Sequence, residues 1–189
     1  APIGKIEADL EKKLKNDGVI KQVLENLQGE VYYENWLKPL LILIEYWQTD
    51  GDEVSYIDTS PKVISIEHVF PRNPAEGSEW ERMFPEGEKY TNTLGNLTLL
   101  SGAKNRYAQN FTFTKKVNIY QGLDMSGKKS GNRNGKITVY QSTQKLINDY
   151  KGNVYNKKWN EKAVQERYNW LCTEIGEILD IDVSTILYK

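Results

Sequence analysis

Ser65-Ile66-Glu67-His68-Val69-Phe70-Pro71 is the stretch around which the rest of the chain is organised. It contains the only histidine of the 189 residues, and a glutamate directly precedes that histidine. β-Branched residues recur over residues 62–67, so we predict a strand there, with His68 at or just past its end. An imidazole beside a carboxylate combines a proton acceptor with an oxygen ligand, so we expect a functional site here.

Two further elements follow this strand along the chain. Residues 97–100 are mostly apolar and predict a second short strand, with Asn96 in the turn before it. Ser101 suits the N-cap of a helix, and that helix carries Asn105. These elements form a β-β-α unit, in which we expect His68 and Asn105 to face each other across a cleft.

The polar residues of this unit suit the hydrolysis of a phosphodiester. A hard divalent cation prefers oxygen ligands, and the Glu67 carboxylate and the Asn105 amide supply two of them. Its other coordination positions are left for water and a phosphate. The ordinary pKa of histidine is about 6.5, so neutral His68 can take a proton from an attacking water at physiological pH.

The remainder of the chain is predicted to be mostly helical. Residues 1–48 carry three helical patterns, which we interpret as a packing layer without chemistry. Residues 121–136 are rich in glycine, serine, asparagine, lysine and arginine, which is typical of a long flexible basic loop. Residues 137–189 are again helical, with Ser142 and Asn160 as predicted N-caps and a long last helix over 161–179.

Length and composition favour one domain over residues 1–189, of the α+β class and mostly helical, with the β-β-α core within residues 62–120. The longest apolar run has five residues, which is far short of the roughly 20 that a membrane span needs. No signal peptide is visible, and we expect a cytoplasmic protein. The first residue is not methionine, so we expect a processed product or a part of a longer protein.

Cysteine and histidine usage excludes two kinds of stabilising site. Cys172 is the only cysteine, so the chain has no internal disulfide. With a single histidine as well, it has no Cys/His zinc knuckle. Cys172 falls within a helical pattern, where we interpret it as a small buried residue.

Charge is distributed unevenly although the net charge is only −1. Residues 101–160 contain ten lysines and two arginines against two aspartates, so this segment carries +10 and the rest of the chain −11. Such asymmetry is expected of a protein with one face that meets a polyanion. The alternative interpretation is that these lysines are ordinary solvated surface residues that bind no polyanion.

More specific patterns surround the β-β-α unit. They are Glu67-His68-Val69-Phe70-Pro71-Arg72-Asn73-Pro74, Trp80, Leu94-Gly95-Asn96-Leu97-Thr98-Leu99-Leu100, Lys104-Asn105, Asn110-Phe111-Thr112-Phe113, Lys115-Lys116, Tyr120, and Trp159 to Arg167 with Leu171. Together they resemble the C-terminal HNH (His-Me finger) nuclease domain of GmrSD-type and SspE-like restriction and anti-phage defence proteins, over about residues 60–180. The resemblance implies a ββα-metal fold and a DNA endonuclease that uses Mg²⁺ or Mn²⁺.

The resemblance also implies a role for each matching residue. His68 becomes the general base and Glu67 a metal ligand. Asn96 becomes the middle asparagine, a catalytic position that braces the loop that aims the base. Asn105 takes the place of the final histidine of the motif as a second metal ligand, and its oxygen suits magnesium better than imidazole does. Lys115 and Lys116 match a basic position after the helix.

DNA is the expected partner, and a single active site is expected to nick one strand. The predicted DNA-binding residues are Lys104, Arg106, Lys115, Lys116, Lys128, Lys129 and Arg133. The resemblance further implies an N-terminal nucleotide-hydrolysing domain that lies outside this chain, and a double-strand break would require repeated nicking or a homodimer. Two alternatives stay open: an inactive DNA-binding or regulatory module, and a helical interaction module built on residues 5–48.

Overall fold

The computed structural model describes residues 3–14, 17–49, 57–60, 62–128 and 139–189. The helices that precede the sheet are α1 (Ile3–Leu14), α2 (Asp17–Leu27) and α3 (Leu37–Trp47). The central elements are β1 (Ile64–His68), α4 (Glu79–Met83), α5 (Gly87–Thr91), β2 (Leu97–Ser101), α6 (Gly102–Ala108) and α7 (Phe113–Tyr120). The last helices are α8 (Gln141–Lys151) and α9 (Glu161–Leu179). The α+β class and the mostly helical content are thus confirmed.

The two strands form a small antiparallel sheet that ends at the histidine. Ile64 pairs with Ser101, and His68 pairs with Leu97. The predicted strand is therefore displaced by one or two residues, and His68 is its last member. Helix α6 begins directly after β2 and packs on both strands, so the β-β-α order along the chain is also a neighbourhood in space.

The sheet lies between two groups of buried apolar side chains, because β2 is buried on both faces. On one side Leu97 and Leu99 pack with Leu37 and Leu41 of α3 and with the second half of α9. On the other side Leu100 joins a cluster from the helices that follow it, whose large members are Phe70, Trp80, Phe84, Phe113, Tyr120 and Trp159. A run of apolar residues without polar alternation is the sequence pattern expected of such a strand.

A buried polar cluster connects the N-terminal helices with the C-terminal ones. Glu45 of α3 accepts hydrogen bonds from the backbone N–H groups of Gln141 and Ser142 and from the Ser142 hydroxyl. Arg167 of α9 donates to the Ser142 carbonyl and to the Thr98 hydroxyl, both at 3.1 Å. Burial raises the pKa of Glu45, and its hydrogen bonds oppose that rise. Ser142 was predicted as an N-cap, but α8 begins one residue earlier and the hydroxyl binds Glu45 instead.

Helix starts were predicted best where a side chain caps the helix. Ser101 accepts a hydrogen bond from the N–H of Lys104, and Asn160 accepts one from the N–H of Ala163 at 3.0 Å. Helix α9 consequently spans the predicted residues 161–179. Helix α5 was not predicted, since its short sequence has no apolar period.

The predicted basic loop over residues 121–136 is described only as far as residue 128, so Lys129 and Arg133 lie outside the described residues. None of the helices in the described ranges combines the length and the apolar character that crossing a membrane requires.

Candidate active site

A cleft with a volume of about 790 Å³ opens beside the end of β1. Its walls come from β1, from α6, from the turn after His68 and from the segment between α2 and α3. Glu67, His68 and Asn105, which the sequence singled out, all line it. The sequence predicted this convergence, because β1 ends at His68 and Asn105 lies in the first turn of α6. Both positions lie at one edge of the β-β-α unit.

His68 is held on several sides although it lines the cleft. The whole residue is 8% exposed, and the centroid of its ring lies 4.3 Å from the centroid of the Tyr32 ring. The Nε2 atom lies 3.1 Å from Oδ1 of Asn92. Burial lowers the pKa of His68 to about 4; the charges of Arg72 and Lys116 act in the same direction and the Asn92 contact opposes them. The imidazole is therefore neutral at physiological pH, which is the form that accepts a proton.

Glu67 lies beside the histidine, but its carboxylate is directed into the protein. Lys116 Nζ donates to Oε1 at 2.7 Å, and the Tyr120 hydroxyl donates to the same oxygen at 3.0 Å. Oε2 makes no hydrogen bond with the described part of the chain. Burial raises the pKa of Glu67, and the Lys116 charge and the two hydrogen bonds lower it. The contact with Lys116 thus favours the ionised carboxylate in a place that otherwise disfavours it.

Asn105 reaches back from α6 to the first strand. Its Nδ2 donates to the carbonyl oxygen of Ile66 at 3.0 Å. A carbonyl can only accept, so this contact fixes the amide orientation and leaves Oδ1 on the other side. Oδ1 makes no hydrogen bond with the residues that the structure describes.

Two oxygens therefore remain for a cation: Glu67 Oε2 and Asn105 Oδ1, on residues that line the same cleft. Carboxylate and amide oxygens are the ligands that Mg²⁺ and Mn²⁺ prefer, and Mg²⁺ is often held by one or two protein oxygens with water and phosphate as its other ligands. The described residues contain no group of three or more His, Cys, Asp or Glu side chains that could hold a metal. The donor types present are those of an open magnesium site, and the described residues do not form a closed one.

Asn96 is fully buried and connects the elements on either side of the histidine. Its Oδ1 accepts hydrogen bonds from the Phe70 N–H at 2.7 Å and from the Trp159 indole N–H at 3.1 Å. Its Nδ2 donates to the carbonyls of Phe70 and Thr91, both at 2.9 Å. The turn after His68 is therefore held to the segment before β2, which is the geometry that a bracing role requires.

The predicted DNA-binding residues fall into different environments. Lys104 is 6% exposed and donates to the Tyr120 carbonyl at 2.7 Å, and Lys116 is 1% exposed against Glu67. We therefore remove both from the proposed DNA-binding surface, because their ammonium groups are engaged inside the protein. Arg106 is exposed in the cleft wall. Lys115 and Lys128 are exposed outside it.

Sequence reasoning missed the contribution of the N-terminal layer to this cleft. Tyr32 and Tyr33 follow α2 and line the cleft, and Tyr33 is 67% exposed. Arg72 donates to the Tyr33 hydroxyl at 2.9 Å, and its guanidinium lies 5.6 Å and 5.7 Å from the centroids of the two rings. Lys38, at the start of α3, lines the same wall. Paired tyrosines in a linker between helices were the available signal, since such rings are rarely needed in a connecting segment.

Comparison with known proteins identifies one family. One family model matches residues 17–174, and its description is the C-terminal domain of GmrSD restriction endonucleases. The matched range contains the whole cleft, including the tyrosines that precede α3. No curated protein and no solved structure matches the chain. Since the family model covers most of the sequence, the chain belongs to the GmrSD restriction endonuclease C-terminal domain family, and its function is of the restriction endonuclease type.

Proposed function

We propose that this chain is a metal-dependent DNA endonuclease of the HNH type, built on a ββα-metal core. One observation carries the proposal: a neutral histidine shares a cleft with two oxygens, Glu67 Oε2 and Asn105 Oδ1, that make no hydrogen bond with the described residues. Phosphodiester hydrolysis needs a proton acceptor for water and a site that tolerates negative charge. A base at His68 and a cation at Glu67 and Asn105 would supply these two functions in one cleft, although Asn105 lies 37 residues beyond His68.

In the proposed reaction His68 accepts a proton from the attacking water, whose oxygen bonds to phosphorus. The bond from phosphorus to the 3′-oxygen breaks and the leaving oxygen takes a proton from solvent water, so the products carry 5′-phosphate and 3′-hydroxyl ends. Glu67 and Asn105 would hold a Mg²⁺ or Mn²⁺ ion, which when bound supplies positive charge to the phosphate oxygens and the leaving group. Asn96 keeps the turn after His68 in place, and the Lys116 ammonium favours the ionised form of Glu67 against the effect of burial. One such site cuts one strand, so a single domain is expected to nick.

Metal-dependent nicking is the first expected result. Incubation of supercoiled plasmid with the chain and Mg²⁺ or Mn²⁺ should give the open circular form, which an agarose gel separates, and EDTA should stop the conversion. Ligase should reseal the nicks without prior end repair, since it requires a 5′-phosphate beside a 3′-hydroxyl. Nicking that persists undiminished in EDTA would contradict the proposed metal dependence.

The proposed DNA-binding surface is the cleft wall that carries Arg72 and Arg106. Both line the cleft around His68, and the exposed ring of Tyr33 lies beside Arg72. Lys38 lines the same wall, but its ammonium donates to the carbonyls of Thr59 and Ile64, so we leave it out of this surface. Cationic side chains pair with phosphates, and this binding is favoured because it releases counterions from DNA. An exposed aromatic ring can stack on a base. The proposed surface therefore combines Arg106, from the +10 segment, with Arg72 and with Tyr33 of the N-terminal layer, which lie outside that segment.

Replacement of Arg72 by alanine is expected to weaken DNA binding several-fold at low salt. Because one phosphate contact is lost, the slope of log K against log salt should fall by about 1. Fluorescence anisotropy of a labelled duplex at several salt concentrations measures both quantities. Arg82→Ala is the matched control, since Arg82 is an exposed arginine on α4 outside the cleft. Equal losses in the two variants would contradict the assigned surface.

An inactive DNA-binding or regulatory module is the second candidate, and one observation favours it. Lys116 occupies Oε1 of Glu67, so half of the proposed ligand is already engaged by a buried ammonium. This candidate predicts salt-dependent DNA binding without nicking under any divalent metal. On family membership we also propose that the domain acts in the cytoplasm beside an N-terminal nucleotide-hydrolysing domain, in a modification-dependent restriction or phage-defence system.

A further inference from the structure

Asn92 contacts the catalytic candidate from a distant part of the sequence. It lies directly after α5, 24 residues beyond His68, and its Oδ1 is 3.1 Å from the Nε2 atom of the imidazole. The contact is directional, because an amide presents an acceptor on one side and a donor on the other. The identity of the facing atom therefore decides which ring nitrogen of His68 carries the proton.

Glu30 decides which side of the Asn92 amide faces the histidine. Nδ2 of Asn92 donates to Oε1 of Glu30 at 3.4 Å. An ionised carboxylate can only accept hydrogen bonds, so the amide nitrogen is directed to Glu30 and the amide oxygen to His68. An amide oxygen in turn requires a donor, so Nε2 carries the proton. The neutral ring then has its lone pair on Nδ1.

The backbone around Asn92 is fixed by two independent contacts. The N–H of Val31, a fully buried residue, donates to the Asn92 carbonyl at 2.9 Å as part of the isolated β-bridge between Glu30 and Thr93. On the other side, Nδ2 of Asn96 donates to the carbonyl of Thr91 at 2.9 Å. The amide of Asn92 therefore meets the imidazole from a segment held by the N-terminal layer and by the bracing asparagine.

We propose that Asn92 is a positioning residue that fixes the Nε2–H tautomer of His68 and leaves Nδ1 as the proton acceptor toward the cleft. The tautomer assignment stands on the contacts alone. Its catalytic consequence rests on the proposed nuclease function, in which the water would give its proton to Nδ1. The N-terminal layer then helps to orient the base, because Glu30 and Val31 hold Asn92 in place.

The single histidine makes the assignment directly measurable by NMR. The full 189-residue chain, with ¹⁵N in the imidazole ring and in EDTA, gives signals from one ring only. Two-bond ¹H–¹⁵N correlations distinguish the protonated nitrogen from the one with the lone pair. We expect a single Nε2–H form for the wild type near neutral pH. For Asn92→Ala we expect averaged ring signals with a several-fold larger Nδ1–H population, whereas Asn92→Asp, which cannot donate to Glu30 but keeps an acceptor for Nε2–H, should still hold the proton on Nε2.

Activity provides the second measurement. In the plasmid assay Asn92→Ala should lower kcat by about 10- to 100-fold with little change in KM, by analogy with the loss of a partner that orients a metal-ligating histidine. Asn92→Asp should restore most of that rate. Asn26→Ala, at an exposed asparagine of α2 away from the cleft, should leave spectrum and rate unchanged. Circular dichroism melting confirms that each variant is folded.

Two results would overturn the proposal: a wild-type ring with its proton on Nδ1, or ring signals of Asn92→Ala that equal those of the wild type. Failure of the nuclease proposal looks different. In that case the wild type shows the Nε2–H form and responds to Asn92→Ala, yet no protein in the set cuts DNA. That outcome supports the tautomer assignment and rejects its catalytic consequence.

Discussion

Replacement of Asn96 by alanine is expected to lower the free energy of unfolding by about 4 kcal/mol, since each buried polar group left without a partner costs about 1–3 kcal/mol. The groups concerned are the N–H and carbonyl of Phe70, the Thr91 carbonyl and the Trp159 indole N–H. Asn96 is fully buried, so water does not replace the lost contacts without a rearrangement. Urea unfolding followed by tryptophan fluorescence measures the change.

Asn169→Ala is the matched control for this prediction. Asn169 also makes two side-chain hydrogen bonds, both to the backbone of Tyr188 at 2.8 Å, but these contacts are exposed to solvent. Water satisfies the groups that the variant releases, so its loss should be about 1 kcal/mol. Similar losses in the two variants would mean that Asn96 is not the brace that its contacts indicate.

Replacement of His68 by alanine is expected to reduce DNA cleavage by about 10²- to 10⁴-fold, the usual contribution of a general base. No other histidine exists in the chain to replace it. In the proposed mechanism Glu67 is a metal ligand whose Oε1 already accepts from Lys116, and the ammonium of Lys116 cannot accept a proton. The effect should lie in kcat, because the phosphate contacts of the proposed DNA-binding surface are unchanged.

DNA binding and folding serve as the controls for His68→Ala. Anisotropy with a labelled duplex should give the wild-type affinity. His68 is neutral, so its replacement removes no positive charge from the DNA-binding surface. The thermal midpoint should fall modestly, because the ring loses its contact with Tyr32. Tyr188→Ala provides a second comparison, as it removes an aromatic side chain that is 43% exposed and lies outside the cleft. Cleavage by that variant should equal wild type.

Local patterns predicted the part of the fold that positions the site. The strand that ends at His68, the apolar run over 97–100 and the N-cap Ser101 are neighbours in space, and each is marked by a pattern in its own short stretch of sequence. Strand alternation and capping act over a few residues, so they can be recognised without the tertiary structure. The same reasoning located Asn160 and the long helix after it.

Side-chain direction was the main reason why other predictions failed. Lys115 and Lys116 are adjacent and chemically identical, yet one is exposed and the other is 1% exposed against Glu67. Helical geometry separates them by about 100° around α7, and the buried carboxylate 49 residues earlier decides which of them is enclosed. A count of charges along residues 101–160 treats both as surface groups, so it overestimates the basic surface.

Long-range contacts explain why the N-terminal layer was interpreted as packing alone. Tyr32 meets His68, and Tyr33 meets Arg72, across more than thirty intervening positions of the chain. Glu30 reaches Asn92 across 62 residues through an exposed hydrogen bond. Apart from the paired tyrosines, nothing in the local composition of residues 1–48 signals these contacts, because helical periodicity reports which residues are buried and not what they touch.

The central claim is that the cleft around His68 cuts DNA with this histidine as the base. Its most direct test is the initial rate of supercoiled plasmid nicking in Mg²⁺ by wild type and by His68→Ala, at concentrations that give equal DNA occupancy. We predict metal-dependent nicking by the wild type and a rate about 10²- to 10⁴-fold lower for the variant. Equal rates for the two proteins would contradict the assignment of the site.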